Sequence, residues 1–323
     1  MRYLVTGGAG FIGSNLVKAL IADDHEVVVL DDESRGNPYR LSRITDHSDA
    51  LEIMHGDVRS PEAVEEAMEG CDAVVHLAYM QGTQTFYSKP RDVLDVALRG
   101  ILSVLAACEH TGTRDLLLVS SSEVYQDTPH VPTHEAVPLL VPDVLNSRYS
   151  YGGGKIACEL AAQAWLESGA LERVVIARPH NIYGPDMGRE HVVPEFALRM
   201  NELIMKHEGT IPFRIQGSGR ETRAFCYIRD CVEQLQLLLD PATPGGIYHV
   251  GYMDERSVED VAHRVAACYS REIELIPGKL PKGSPSRRCP DTSKIEALGW
   301  NPAGAASFNA GIRRTVNWYK ANG

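Results

Sequence analysis

The sequence predicts an α/β chain: a doubly wound parallel sheet followed by a smaller C-terminal α/β domain. Three observations lead there. Short β-rich runs alternate with longer helical stretches through the first half, the pattern of a parallel sheet with helices on both faces. A glycine-rich turn joins the first run to the first helical stretch. After Pro179 the alternation loosens into segments rich in Gly, Pro and Arg, at 181–189 and 277–291, which read as loops over a site.

Strands are expected at 2–6, 26–30, 51–55, 73–77, 116–120 and 174–178, and helices at 13–22, 60–68, 93–109 and 155–167. Right-handed crossovers between six such strands make a doubly wound sheet. Further strands are expected at 224–228 and 247–250, with a helix at 230–239 between them. Residues 1–180 together with about 225–250 form one expected domain, and about 181–224 with 251–323 the other. There is no internal repeat and no low-complexity tract.

The 323 residues are 44% hydrophobic and 23% charged, ordinary values for a globular protein with a sizeable core. Acidic residues outnumber basic ones 43 to 32, a net charge of -11. A broad nucleic-acid-binding face is therefore not expected. An anionic small molecule would bind only where arginines gather. No apolar run reaches the roughly 18 residues of a membrane span, and the apolar start at 3–6 breaks at once into glycines, so neither a membrane partner nor a secretion signal is expected. Seven cysteines without a CxxC pair point to reduced thiols and a cytoplasmic location. Cys226 and Cys231 read as core or helix residues. Twelve histidines show no HExxH spacing, so no metal is expected.

In Leu4-Val5-Thr6-Gly7-Gly8-Ala9-Gly10-Phe11-Ile12-Gly13-Ser14 the glycines Gly7, Gly10 and Gly13 stand three apart where a strand turns into a helix. Glycine lets the backbone approach a pyrophosphate, and the helix N-terminus offers amides and a positive dipole end. This is the context that makes a glycine triplet a dinucleotide fingerprint of the Rossmann kind. The second strand ends in Leu30-Asp31-Asp32. A carboxylate there accepts from both ribose hydroxyls and repels a 2′-phosphate, which favours NAD over NADP. Arg35 keeps the second cofactor open. Asp57 and Val58 follow the third strand, where they meet the adenine or form a plain turn.

Tyr151 and Lys155 are four apart and share one helix face. A phenol titrating near ~10 is a poor base at neutral pH, but a nearby ammonium favours the phenolate. Tyr151 can then take the proton of a sugar or alcohol hydroxyl as hydride leaves the carbon for NAD. Ser120-Ser121-Ser122-Glu123-Val124-Tyr125 closes the fifth strand, where a hydroxyl can bond the reacting oxygen.

With these motifs in order, the chain resembles an extended short-chain dehydrogenase/reductase of the NAD-dependent nucleotide-sugar epimerase/dehydratase group. The supporting runs are Thr6 to Gly13, His76-Leu77-Ala78, Tyr151-x3-Lys155, Arg178-Pro179-His180-Asn181-Ile182-Tyr183-Gly184-Pro185 and Leu298-Gly299-Trp300. The resemblance implies that Ser121, Tyr151 and Lys155 form the catalytic triad. It implies oxidation at sugar C4, chemistry on the 4-keto sugar and, usually, return of the hydride. Phe11, Ile12, Leu77 and Ala78 then belong with the cofactor. Tyr79, Ser122, Asn181 and Val192 belong with the substrate, a nucleotide-diphosphate sugar; Arg223, Arg287 and Arg288 belong with its diphosphate. Tyr79 can equally pack as an ordinary core residue, and His180 and His191 read as solvated or structural. The resemblance also implies a homodimer built on the helices near 93–109 and 155–167.

Glu123 bears on the reaction. A plain C4 epimerase needs no carboxylate there, whereas a base beside a 4-keto sugar can remove the C5 proton. Ser121-Ser122-Glu123 is similar to the Thr-Ser-Glu of GDP-mannose 4,6-dehydratases and UDP-glucuronate decarboxylases, and Arg229 to an arginine of some of those decarboxylases. Epimerase, dehydratase and decarboxylase all stay open, as do a 4-ketosugar reductase and a non-enzymatic dinucleotide sensor. Three departures from the family stand out. Gly152-Gly153-Gly154 replace the usual Ala or Ser, each glycine costing about 0.8–1 kcal/mol in a helix; either the helix starts late or space is needed for a bulkier sugar. Ala97 stands for a common Asn, and Gln126 for a Gly.

Overall fold

The computed structural model describes residues 1–42, 49–280 and 283–323, so Pro281 and Lys282 of the expected 277–291 loop lie outside the described residues. In chain order come β1 (Arg2–Thr6), α1 (Phe11–Ala22), β2 (Glu26–Asp31), β3 (Leu51–His55), α2 (Pro61–Met68), β4 (Ala73–His76), α3 (Thr83–Ser88), α4 (Pro90–Thr111) and β5 (Asp115–Val119). Then follow α5 (Ser150–Glu167), β6 (Arg173–Pro179), β7 (Ile182–Tyr183), α6 (Val192–Leu203), β8 (Ile211–Arg214), β9 (Thr222–Ala224), β10 (Cys226–Tyr227) and α7 (Ile228–Leu239). The last are β11 (Gly246–Val250), β12 (Glu255–Ser257), α8 (Val258–Cys268), β13 (Ile273–Ile276), β14 (Arg287–Arg288), α9 (Ser293–Glu296) and α10 (Phe308–Asn322).

Two compact units result. The first is Met1–Val124, Leu139–Pro179 and Val232–Tyr248; the second is Tyr125–Pro138, His180–Cys231 and His249–Gly323. Residues 125–138 and 225–231 group with the second unit, whereas the sequence reading placed them with the first.

The main sheet has seven strands in the order β11-β6-β5-β4-β1-β2-β3. β1 to β6 pair in parallel wherever they are neighbours. β4 is buried along its whole length and β2 at every residue but Glu26, as expected of strands covered on both faces. Chain direction across the sheet reverses between β1 and β4. Such a switch point leaves a crevice at the carboxyl ends of the strands, here the ends at Thr6 and His76.

Three helices, α2, α8 and α10, start at a serine cap. Ser60, Ser257 and Ser307 each accept an amide three residues on, from Ala63, Asp260 and Ala310, and such a cap contributes about 1 kcal/mol. α5 begins at Ser150, so the three glycines lie inside its first turns and the late-start option is wrong. The strand expected at 224–228 is two: β9 pairs with β12 and β14, β10 pairs with β7, and the chain changes sheets at Phe225. The expected loops at 181–189 and 277–291 contain β7 and β14. In the second unit α6, α8 and α10 pack on one another, and β8 runs parallel to β13. Tyr125 opens the 125–138 segment, and Gln126 has φ 53. That left-handed conformation is the physical reason a glycine suits position 126.

One buried ion pair holds α5 against the sheet. Arg178, 2% exposed at the end of β6, donates to both oxygens of Glu159, at 3.0 and 2.5 Å. Ser120, just beyond β5, donates to the same carboxylate. We expect Glu159→Ala, which strands the buried guanidinium, to cost about 3–5 kcal/mol. Replacing Glu159 and Arg178 together by Met should cost far less. Urea unfolding of the two variants checks this.

Candidate active site

At the end of β1 the chain turns through Gly7, whose φ is 72. Its amide donates to Leu30 at 2.8 Å and its carbonyl accepts from Gly10 at 3.1 Å. A Cβ at Gly7 would lie 2.7 Å from the Ala78 nitrogen, and one at Gly13 2.3 Å from the Gly7 carbonyl. The turn is thus closed against the end of β4, and side chains are excluded by backbone. α1 then begins at Phe11 and Ile12 with no side-chain cap and no acidic residue in its first turn. That leaves its positive end to an anion.

Asp31, 8% exposed, fixes this turn from β2. Its oxygens accept from the amides of Ala9 at 3.0 Å and Glu33 at 2.9 Å. Burial raises its pKa, against those two amides. Each carboxylate oxygen has a second lone pair for a hydroxyl. A Cβ at Gly36 would stand 2.4 Å from the Asp31 Oδ1, so this glycine, which the sequence reading missed, is needed for the carboxylate's position; its signal was an Asp followed five residues later by Gly. Arg35 donates to the Gln81 carbonyl.

Asp57 is paired with Arg59 at 2.5 Å, and Arg59 also reaches Asp95 at 2.7 Å. Hydrogen bonding by Arg59 holds the Asp57 carboxyl below its usual value. Val58 is buried, and Gly100 of α4 approaches it so closely that a Cβ would sit 3.0 Å from its Cγ1. The Leu77 and Ala78 amides donate to Thr6, to its carbonyl at 3.1 Å and its hydroxyl at 3.3 Å. These residues suit a dinucleotide: a glycine cradle without side chains, an uncapped helix start, and an acid fixed beside them.

The catalytic candidates gather at the end of β5. Lys155 is 4% exposed, and its ammonium donates to the Val119 carbonyl at 2.8 Å. Burial lowers its pKa to about 8. Two residues on, Ser121 accepts from the Glu123 amide at 3.2 Å. Ser122 is buried in the same short turn of 3-10 helix, Ser122–Tyr125. The Glu123 carboxylate faces Arg148, itself 8% exposed, at 3.7 Å. Arg148 stands three residues before Tyr151, and sequence reasoning missed it; an arginine just ahead of the Tyr-x3-Lys spacing was the available signal. The bonds Lys155–Val119, Arg148–Glu123 and Glu159–Ser120 therefore lace the start of α5 to segment 119–123. They tie the segment that carries Ser121 and Glu123 to the helix that carries Tyr151 and Lys155. Tyr151 is 5% exposed, stacked on Phe86 at 4.6 Å and edge-on to Tyr79 at 5.0 Å. Tyr79 turns onto α5, its hydroxyl donating to the Tyr151 carbonyl at 3.3 Å.

The remaining candidates belong to the second unit. Arg223 in β9 is in register with Arg288 of β14 on one side and Arg256 of β12 on the other. Cross-strand partners project from the same face, so three arginines form one row. Arg256 was not singled out in the sequence. Arg223 donates to the carbonyls of Thr222 and Pro285, both at 2.7 Å, and Arg288 is 7% exposed. Arg287 faces the other way and is held by Glu255 through one edge of its guanidinium, Nε and Nη2, the closest contact 2.5 Å. That ion pair argues against a share in anion binding. Asn181 uses its amide to hold the Ala224 carbonyl at 3.2 Å. Val192 is half-buried at the start of α6. His180 is fully buried, edge-on to His249 at 4.8 Å, a structural place. Arg229 reaches Asp230 at 2.7 Å.

Among the described residues no group of three or more His, Cys, Asp or Glu side chains could hold a metal ion. Nor is any helix among them long and apolar enough to cross a membrane.

The chain is similar to known proteins over its whole length. A UDP-glucuronic acid decarboxylase of Xenopus tropicalis is 30% identical over 99% of this chain and 72% of its own length. A trifunctional UDP-glucose 4,6-dehydratase/3,5-epimerase/reductase of Arabidopsis thaliana is 29% identical over 99% of this chain. The chain spans about half the length of that relative, 47%. Among solved structures, the Streptomyces venezuelae dTDP-glucose 4,6-dehydratase DesIV, with NAD and TYD bound, superposes with a TM-score of 0.87 at 29% identity, over 100% of this chain and 98% of its own. The description NAD dependent epimerase/dehydratase family matches residues 3–251. The chain belongs to that family.

Proposed function

We propose that this protein is an NAD-dependent enzyme acting on a nucleotide-diphosphate sugar through transient oxidation at C4. The observation that carries the reading is the buried ammonium of Lys155, tied to Val119 at the end of β5 and one helical turn from Tyr151. The first unit holds the dinucleotide on the Gly7–Gly13 turn and Asp31. The second holds the nucleotide sugar, with Arg223 and Arg288 taking its diphosphate. NAD, when bound, supplies the acceptor for a carbinol hydride. The chain's own residues do the rest. Ser121 hydrogen-bonds the reacting oxygen, Tyr151 removes its proton, and Lys155 keeps the phenolate charged.

Glu123, opposed by Arg148, favours a reaction beyond plain C4 inversion. Its carboxylate is suited to take the C5 proton for elimination in a dehydratase or, once protonated, to give a proton to C5 after carbon dioxide has left in a decarboxylase. This supports a dehydratase or a decarboxylase over a simple epimerase. The buried thiols fit a reducing compartment such as the cytoplasm: six of the seven free cysteines are buried.

The surface of α4 and α5 supports a homodimer. Leu94, Leu98 and Leu102, spaced four apart on α4, are 37%, 40% and 48% exposed, and Leu160 of α5 is 68% exposed. Leucines at that spacing make a continuous stripe suited to a second copy.

Four outcomes test these readings. With a panel of nucleotide sugars in heavy water, Tyr151→Phe should lose turnover by about 10²–10⁴-fold, and Glu123→Gln should abolish deuterium entry at C5 in the product NMR spectrum. The Lys155 ammonium is present below about pH 8 and discharged above it, so turnover should fall on the alkaline side of that value in a pH–rate profile. Leu98→Asp with Leu102→Asp should convert the species seen by light scattering from a dimer to a monomer.

A further inference from the structure

Two departures noted in the sequence, Ala97 and Gly154, meet Tyr79 at one point. A Cβ added to Gly154 would stand 2.3 Å from the Tyr79 hydroxyl and 3.1 Å from the Ala97 Cβ. The small residues at 97 and 154 thus leave a notch between α4 and α5, and the phenol fills it. At Gly154 the space that reads in sequence as room for a bulkier sugar is occupied by the protein itself. The same hydroxyl donates to the Tyr151 carbonyl at 3.3 Å. The face of the Tyr79 ring lies under the Lys155 ammonium, 3.9 Å from nitrogen to centroid. One side chain therefore touches the backbone of Tyr151 and the charge of Lys155.

Why an aromatic ring is needed follows from donor arithmetic. An ammonium carries three N–H donors, and the Val119 carbonyl accepts one of them. Burial alone drives the group toward the neutral amine. The negative face of a ring opposes that by attracting the cation. The titratable groups around Lys155 are His76 at the end of β4, Tyr79 after it, and Tyr151, Cys158 and Glu159 on its own helix. His76, pushed down to about 3 by burial and by Lys155 itself, is neutral and offers no counter-charge. Cys158, pushed up to about 11 by burial, is a neutral thiol. Glu159 is engaged by Arg178.

We infer that Tyr79 is a positioning residue: its ring is the seat of the Lys155 ammonium, and its hydroxyl is locked in a notch that exists because position 154 has no side chain. The inference rests on the reading that Tyr151 and Lys155 carry the chemistry, but it can be measured without turnover.

The test titrates the Lys155 side-chain nitrogen by ¹⁵N NMR in the cofactor-free protein, alongside thermal unfolding. The midpoint should lie near 8. Tyr79→Leu removes the ring and should lower it by about one unit, the size of a desolvated cation–π contact. Tyr79→Phe keeps the ring and should leave the midpoint in place. Gly154→Ala should lower the melting temperature, and adding Tyr79→Phe should recover most of the loss because the 2.3 Å conflict disappears. An unmoved midpoint in Tyr79→Leu overturns the inference. So does a Gly154→Ala defect of equal size in both backgrounds, which is read by melting even where the leucine variant does not fold. If Tyr151→Phe abolishes turnover while the midpoint stays fixed, the seat alone is wrong. If the midpoint moves while Tyr151→Phe keeps turnover, the chemistry is misassigned and the seat stands.

Discussion

A positive charge buried at the carboxyl edge of the sheet is the constraint around which the first unit is arranged. Removing an ammonium from water is costly unless dipoles or counter-charges replace the solvent. Among the described residues the replacement is a carbonyl at the end of β5 and an aromatic face, with the Glu159 carboxylate on the same helix adding to them. Both depend on α5 lying close to the sheet. That closeness depends in turn on the Arg178–Glu159 pair and on small residues at the α4–α5 contact, where the Cys158 thiol meets the Ala97 carbonyl at 3.4 Å.

Much of this was legible in the sequence. The strands of the first half, the glycine turn and the Tyr-x3-Lys spacing declare themselves because local sequence dictates them. β-branched runs make strands, glycine adopts the φ of 72 at Gly7 without steric cost, and a spacing of four fixes a helix face. What stayed hidden depends on partners distant in the chain. Nothing near Gly154 says that a tyrosine 75 residues earlier occupies its missing side chain. Nothing near Arg287 says that Glu255 holds it. The break between β9 and β10 was invisible because no glycine or proline between Thr222 and Tyr227 marks the change of sheet.

The arginines of the second unit show how composition misleads. A chain of net charge -11 still assembles Arg256, Arg223 and Arg288 in a single row by strand pairing. Local register, rather than overall balance, sets where anions are attracted. Three neighbouring guanidinium-bearing residues repel one another. The carbonyls that receive Arg223 and the Asp254 carboxylate 2.5 Å from Arg256 relieve part of that repulsion.

The fixed glycine turn has a thermodynamic consequence. Asp31 clamps the Ala9 and Glu33 amides, and the Arg40 guanidinium holds the Ala9 carbonyl at 3.0 Å. The segment is thus ordered before any diphosphate reaches it. Loops that must freeze on association give back part of their contact energy as lost disorder, often about 0.5–1.5 kcal/mol for each immobilised side chain. A turn braced from three sides has little disorder left to lose, which lengthens the residence of whatever it grips.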